Sequence, residues 1–225
     1  MRIPVTKYGL PQAALYPGLA LVLLVAAFFA LRSSAFLIPV EIVLALLFIW
    51  SVSFFRDPQR AVPRDESVLL APADGRVTDI TIVENEDGYP GKALRIGIFL
   101  SVFDVHINRV PCSVRIDKVT YRKGAFKNAM SPESGRVNES NDILMTRTAE
   151  PRVPLLVRQV SGAIARRIVC AVKPGDEPDQ GERFGMIKFG SRTELYLPAD
   201  GGAETLVKIG DTVRAGLTPL ARYGK

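Results

Sequence analysis

Histidine occurs once and cysteine twice in this 225-residue chain, and the cysteines, Cys112 and Cys170, stand far apart. Neither a CxxC pair nor a Cys/His zinc cluster can be assembled from so few ligands, so no metal is expected. The two thiols read as packed core residues in a reduced, cytosolic setting, with a disulfide between them left open. Low-complexity segments and sustained repeats are also missing. Lys and Arg exceed Asp and Glu by 29 to 23, a net charge of +6 that favours anionic partners. Nucleic acid is not expected among them, because the basic residues carry no interleaved aromatic patch.

Charge is absent altogether from Ala13 to Leu31, a run of nineteen residues. A helix needs roughly 20 apolar residues to cross a hydrocarbon core. Arg32-Ser33-Ser34 ends the run, and a second apolar stretch covers Ala35 to Phe55, broken by Pro39 and Glu41. No small-x-small site before Arg32 is convincing, and the second apolar run argues against a cleaved signal peptide. A buried soluble hairpin would need a large apolar partner surface that so short a chain hardly provides. The expectation is therefore a membrane-associated helical hairpin over 1–56, followed by a β-rich domain over 57–225. Arg2 and Lys7 before the hairpin, and Arg56, Arg60 and Arg64 after it, place both ends on the cytoplasmic side of the cell (inner) membrane. A mid-bilayer carboxylate is expensive, so Glu41 keeps a shallow, re-entrant hairpin open beside a full second span.

Beyond Asp57, short apolar runs punctuated by Gly, Pro, Asp and Asn predict strands over 68–70, 77–83, 94–100, 114–121, 143–147, 155–160 and 168–172. Gly162 to Arg167 suggests a short helical turn, and the polar stretch Lys123 to Asn141 a long loop. Ala73-Asp-Gly-Arg-Val77 and Ile209-Gly-Asp-Thr-Val-Arg-Ala-Gly216 echo each other and look like turns of a lipoyl-type barrel sandwich. The fold class expected is mainly β, a barrel-sandwich-like β-rich core, α+β overall.

Gly190-Ser191 lies between the alternating runs 186–189 and 195–197, so it should fall at a strand end or tight turn. Glycine permits strained backbone there, and the serine hydroxyl can fold back onto the preceding carbonyl. His106 stands in Phe103-Asp-Val-His-Ile-Asn-Arg109, where alternation would put Asp104, His106 and Asn108 on one face of a strand. Asp74 sits in the turn Pro72-Ala-Asp-Gly-Arg76. Together Asp74, His106 and Ser191 offer an acid, a base and a hydroxyl. A membrane-anchored serine hydrolase could use the same three, though no Gly-x-Ser-x-Gly elbow surrounds Ser191. A non-enzymatic membrane-anchored adaptor on a lipoyl-like barrel is a further alternative.

Six segments in order closely resemble the phosphatidylserine decarboxylases in their compact bacterial form. They are Phe54-Phe-Arg-Asp-Pro-Gln-Arg60, Pro72 to Arg76, Phe103 to Arg109, Val137-Asn-Glu-Ser-Asn141, Gln159 to Arg167 and Lys188-Phe-Gly-Ser-Arg192. The resemblance implies a zymogen in which Ser191 attacks the Gly190 carbonyl. The peptide rearranges to an ester, and β-elimination separates residues 1–190, the beta chain, from residues 191–225, the alpha chain. The two chains would stay together as a heterodimer, with a higher oligomer possible in principle. The cofactor implied is a covalent pyruvoyl group made from Ser191. It forms a Schiff base with phosphatidylserine and takes up the electrons left by departing carbon dioxide, giving phosphatidylethanolamine. The resemblance assigns proton transfer to His106 and a part in self-cleavage to Asp74. Glu139 and Asn141 match the family's Asn-Glu-x-Asn stretch. Some members carry a second histidine three residues after the first, where this chain has Arg109. Membrane lipid and phosphatidylserine are thus the partners expected, and Arg56, Arg60 and Arg64 would lie at head-group level.

Overall fold

The computed structural model describes residues 5–131, 133–163, 167–188 and 190–224. The middle of the helical turn expected over Gly162–Arg167 and the residue Phe189 lie outside them. The chain divides into two compact units, Met1–Gln59 and Arg60–Lys225.

In the first unit, α1 (Leu10–Leu31) carries Pro11 in its first turn, where a missing N–H is no loss. α2 (Leu37–Phe54) packs back against α1. Apart from Glu41 on α2, both helices are apolar nearly all round, and Leu15, Val22 and Phe29 on α1 and Ile38, Val43 and Ile49 on α2 are exposed. Such helices suit a lipid surround rather than water. Each is long and apolar enough to cross a membrane. The hairpin ends are fastened by a Val5–Arg56 bridge and by the Thr6 N–H donating to the Phe55 carbonyl at 3.0 Å, with Phe54 and Phe55 buried beneath.

The second unit is built of strands: β1 (Val68–Leu70), β2 (Gly75–Val83), β3 (Ala93–Leu100), β4 (Ile107–Arg109) and β5 (Val114–Arg122). After a one-turn helix, α3 (Ser134–Val137), come β6 (Ser140–Arg147), β7 (Pro154–Ser161), β8 (Ile168–Cys170) and β9 (Arg183–Ile187). The chain ends in β10 (Ser191–Pro198), β11 (Ala203–Thr205), β12 (Thr212–Val213) and β13 (Pro219–Tyr223). Seven form one sheet in the order β12-β2-β3-β10-β7-β6-β5, and two three-stranded sheets, β1-β13-β11 and β4-β9-β8, accompany it. Every strand pairing is antiparallel. No sheet closes into a barrel among the described residues. The architecture is mainly β behind an apolar helical hairpin, as the sequence predicts.

The core lies between the sheets. Ile96, Ile98, Val157, Ile143 and Leu195 from the large sheet pack with Phe184 of β9 and with Leu69 and Leu220 of the β1-β13 pair. Alternation along each strand supplies these residues at every second position. The two echoing segments meet across one pairing, where Thr212 faces Arg76 and Val213 faces Gly75. The Val77 N–H donates to the Asp211 carbonyl at 2.9 Å and the Gly210 N–H to the Val77 carbonyl at 2.8 Å.

Two local expectations are corrected. The stretch 123–141 is not loop throughout: it holds α3, and β6 begins at Ser140, so Asn141 is buried in the sheet. The strand around His106 spans only Ile107–Arg109. Before it the chain folds into a turn closed by two bonds, Asp104 N–H to the Ser101 carbonyl at 3.0 Å and Ser101 N–H to Asp104 Oδ2 at 2.8 Å. Asp104, His106 and Asn108 therefore do not share one strand face, because Asp104 is used to close the turn.

Candidate active site

Ser191 is the first residue of β10, which runs through the middle of the large sheet between β3 and β7. It pairs with Leu100 on one side and Ser161 on the other. Its side chain is fully buried, and Oγ has no hydrogen-bond partner among the described residues. A buried hydroxyl left unsatisfied usually costs about 1–3 kcal/mol, so it marks a place where something other than stability is served. Gly190 just before it has φ +61°. That left-handed backbone costs any residue with a Cβ roughly 1–2 kcal/mol, which accounts for glycine at the bend between β9 and β10.

Gly162 supplies the opposite wall. A Cβ placed there would stand 2.2 Å from the Gly190 carbonyl oxygen, so only glycine lets the end of β7 approach the carbonyl at the junction. Ser161 is pinned by its N–H and Oγ, which donate to the Glu139 carbonyl at 2.9 and 3.0 Å. Glu139 thus contributes through its backbone.

His106 is fully buried beside the start of β4. Its Nδ1 lies 3.0 Å from the Asp104 carbonyl oxygen, which can only accept, so in the neutral ring the proton sits on Nδ1 and Nε2 carries the lone pair. The His106 carbonyl accepts from Ile187 N–H at 3.3 Å, which ties the histidine to the end of β9, three residues before Gly190. A buried amide chain completes the link. Asn141 Nδ2 donates to Gln159 Oε1 at 3.2 Å, Gln159 Nε2 to Asn108 Oδ1 at 2.9 Å, and Asn108 Nδ2 to Thr193 Oγ1 at 3.1 Å. Asn108 and Thr193 each follow a site residue by two positions. Their bond therefore fixes the segment carrying His106 against the segment carrying Ser191.

Asp74 is placed differently. Its two oxygens accept from Arg60 at 2.6 and 2.7 Å, and Oδ1 also accepts the Ala215 N–H at 2.8 Å. Arg60 also donates to the Ala215 carbonyl at 2.6 Å. Among the described residues no hydrogen bond joins Asp74 to His106 or Ser191. Arg60, expected at head-group level, is instead buried as the counter-ion of Asp74. The Asp74 turn acts at one remove, since the Pro72 carbonyl accepts from Arg109 N–H at 3.0 Å and from Asn108 Nδ2 at 3.3 Å. Arg109 is buried and donates Nη1 to the Gly181 carbonyl at 2.9 Å.

The opposite face of β10 is charged and equally buried. Arg192 and Glu194 are both fully buried. Arg192 Nη2 meets Asp79 at 2.5 Å, Nη1 meets Thr78 Oγ1 at 2.7 Å, and Nε meets Glu194 at 2.6 Å. Glu194 also accepts from the Tyr196 hydroxyl at 2.6 Å. Arg158 on β7 continues the row to Asp142 and Glu86. Burial alone would raise the Asp79 and Glu86 carboxyls, but the charges and hydrogen bonds of Arg192 and Arg158 prevail and hold both below their ordinary values. Ser191 thus heads a strand that is locked by apolar packing on one face and by ion pairs on the other.

A phosphatidylserine decarboxylase family profile matches residues 47–221. The chain is 39% identical over 221 residues to the phosphatidylserine decarboxylase proenzyme of Desulfotalea psychrophila, covering 98% of this chain and 97% of that one. It is 41% identical over 221 residues to the proenzyme of that name from Rhodopirellula baltica, covering 98% of this chain and 89% of the relative. With the proenzyme from Carboxydothermus hydrogenoformans it shares 45% over 177 residues, 79% of this chain and 81% of the relative. The chain belongs to the phosphatidylserine decarboxylase family. It is therefore a member of a family of decarboxylating lyases.

Residues of the segments that carry the resemblance fall where Gly190 meets Ser191: Ser161 pairs with Ser191, Gly162 faces the Gly190 carbonyl, and Asn108 bonds Thr193 on β10. Arg60 and Gln159 lie in the same motifs, yet their partners Asp74 and Asn108 are set by tertiary pairing and leave no local trace. Both cysteines are free, so the disulfide left open by the sequence does not form. Burial pushes the Cys112 thiol up to about 12, which makes it a packing group. Among the described residues no group of three or more His, Cys, Asp or Glu side chains is placed to hold a metal ion.

Proposed function

We propose that this protein decarboxylates phosphatidylserine to phosphatidylethanolamine after cutting itself between Gly190 and Ser191. The single observation that carries the reading is the buried, unpartnered Ser191 Oγ directly after a left-handed Gly190. In the cutting step Oγ bonds to the Gly190 carbonyl carbon and the peptide C–N bond breaks, leaving an ester. Loss of the Ser191 α-proton then breaks the Cβ–Oγ bond and expels the Gly190 carboxylate, leaving a dehydroalanine that tautomerises to an imine; water adds to the imine carbon and the nitrogen leaves as ammonia. The result is a pyruvoyl group at position 191. This group supplies an electron sink for the carbon–carboxylate bond that breaks, which no ordinary side chain provides.

The surrounding residues suit the two tasks. His106, with Nε2 carrying the lone pair, is the group best able to take the Ser191 proton during cutting and to return a proton to the substrate carbon afterwards. Asp74, held by Arg60, serves self-cleavage as a positioning residue through the turn whose Pro72 carbonyl grips Asn108 and Arg109. Gly162 keeps the junction carbonyl in place. Complete burial of Ser191 counts against a serine hydrolase, which must admit an external ester. In the decarboxylase reading, breaking the bond frees the Gly190 end to draw back and uncover position 191. The hairpin holds the enzyme at the bilayer, with the catalytic unit on the cytoplasmic side as its basic flanks suggest.

Intact mass under denaturing conditions tests the reading. Active protein should give two chains, residues 1–190 and 191–225, the smaller with a carbonyl-bearing, blocked N-terminus. Ser191→Ala should yield one uncut, inactive chain, and His106→Ala should lose decarboxylation. A single full-length chain from an active preparation would falsify the proposal.

A further inference from the structure

A cavity of about 270 Å³ opens beside the junction, and Gly190 forms part of its wall. Phe99, Val102, Phe103, Ala129 and Ala163 supply most of the rest, so the space is apolar. Its outer lip is unusual for a surface in water. Phe103 is 72% exposed, and Met130 and Phe126 on the facing loop are 57% and 41% exposed. Isolated exposed apolar residues are common, but Phe103 in the cavity wall, with Phe126 and Met130 on the loop that supplies Asn128 and Ala129 to the same wall, puts three large ones on the two segments that frame it.

The lip is held in place. The Asn138 side chain grips the loop by accepting from Lys127 N–H at 2.9 Å and donating to the Lys127 carbonyl at 2.8 Å. The same amide donates to the Ser161 carbonyl at 2.8 Å, next to Gly162. Ala129 is buried directly over Gly162, where a Cβ would lie 3.2 Å from its own. On the other side, the Ser101–Asp104 turn fixes Phe103 outward. Charge points the same way. The stretch 123–131 contains Lys123 and Lys127, both exposed, and no acid.

We propose, building on the decarboxylase reading, that Phe103, Phe126 and Met130 dip into the bilayer, so that the cavity takes the acyl–glycerol end of an anionic phospholipid straight from the membrane. Apolar groups sink below the head-groups while the lysines stay among the phosphates, the arrangement by which interfacial segments bind. The cavity, with Gly190 in its wall, then links the bilayer to position 191. A hydrocarbon-immersed lip also lets substrate reach the site without its acyl chains crossing water.

The single tryptophan, Trp50, makes a direct test possible. In the full-length chain carrying Trp50→Phe and Phe103→Trp, the indole introduced at 103 should shift to the blue on vesicles of phosphatidylserine and phosphatidylcholine. Brominated acyl chains should quench it. Emission unchanged and unquenched, while the protein sediments with the vesicles, would overturn the proposal. A second measurement uses Phe103→Ser with Met130→Ser. The ratio of activity on long-chain phosphatidylserine in vesicles to activity on dispersed short-chain phosphatidylserine should fall at least tenfold. An equal fall on both, or dimerisation of the parent chain through this lip without quenching, would sink it. If the parent chain decarboxylates neither lipid, the decarboxylase reading fails instead, and the quenching result still stands on its own.

Discussion

Gly162 decides how closely two strand ends meet at the junction. Its replacement by alanine puts a Cβ 2.2 Å from the Gly190 carbonyl oxygen, so one end must move. Gly162→Ala should slow self-cleavage at least tenfold, about 1.4 kcal/mol of barrier, seen as persistent full-length chain in a time course of intact mass. Cleavage at the parental rate would show that the carbonyl needs no such close wall. Residues of this kind differ in how far sequence reveals them. Ser191 and His106 stand out because the histidine is the only one present and the serine follows a glycine between apolar runs. Arg60 does not, since its role depends on Asp74 fourteen residues later, a pairing made by the fold. Read in its local setting among basic residues after an apolar helix, Arg60 looks like a head-group contact. The structure gives it to a carboxylate instead.

At the scale of elements, alternation found the long strands because one face of each is buried in a single core. It could not find β11 or β12, which are three and two residues long and exist only through their pairing with β13 and β2. Nor does alternation tell that the polar face of β10 is buried, since a charged residue reads the same in water or in an ion-pair row. That row carries two expectations. Arg192→Met leaves Asp79 and Glu194 buried with a partner removed, which typically costs 3–5 kcal/mol. The urea midpoint should fall accordingly, and an unchanged midpoint would mean the row does not hold β10. The row should also respond to pH. Asp79 and Glu86 bind protons less readily folded than unfolded, so their stabilisation is complete above the ordinary values of 3.8 and 4.5. It drains away as pH falls through the lower, folded values. Urea midpoints should change little through this row above pH 6 and drop below pH 4, with Asp79→Asn flattening the drop.

At the scale of the whole molecule, the segment after the junction is threaded through two of the three sheets described in the catalytic unit. β10 lies between β3 and β7, β12 pairs with β2, and β13 joins β1 to β11. The two chains expected after cleavage should therefore remain together without a covalent bond. Processed protein labelled with heavy isotopes, mixed with unlabelled processed protein in native buffer, should keep its original pairs for days by native mass spectrometry. Rapid scrambling would show that the strands open freely. Weaving has a further cost. A reactive carbonyl made from the chain's own backbone cannot be swapped for a fresh one when it is reduced or trapped by a stray amine. Each molecule would then have one cofactor for its working life, and lost activity could be restored only by synthesising the protein anew.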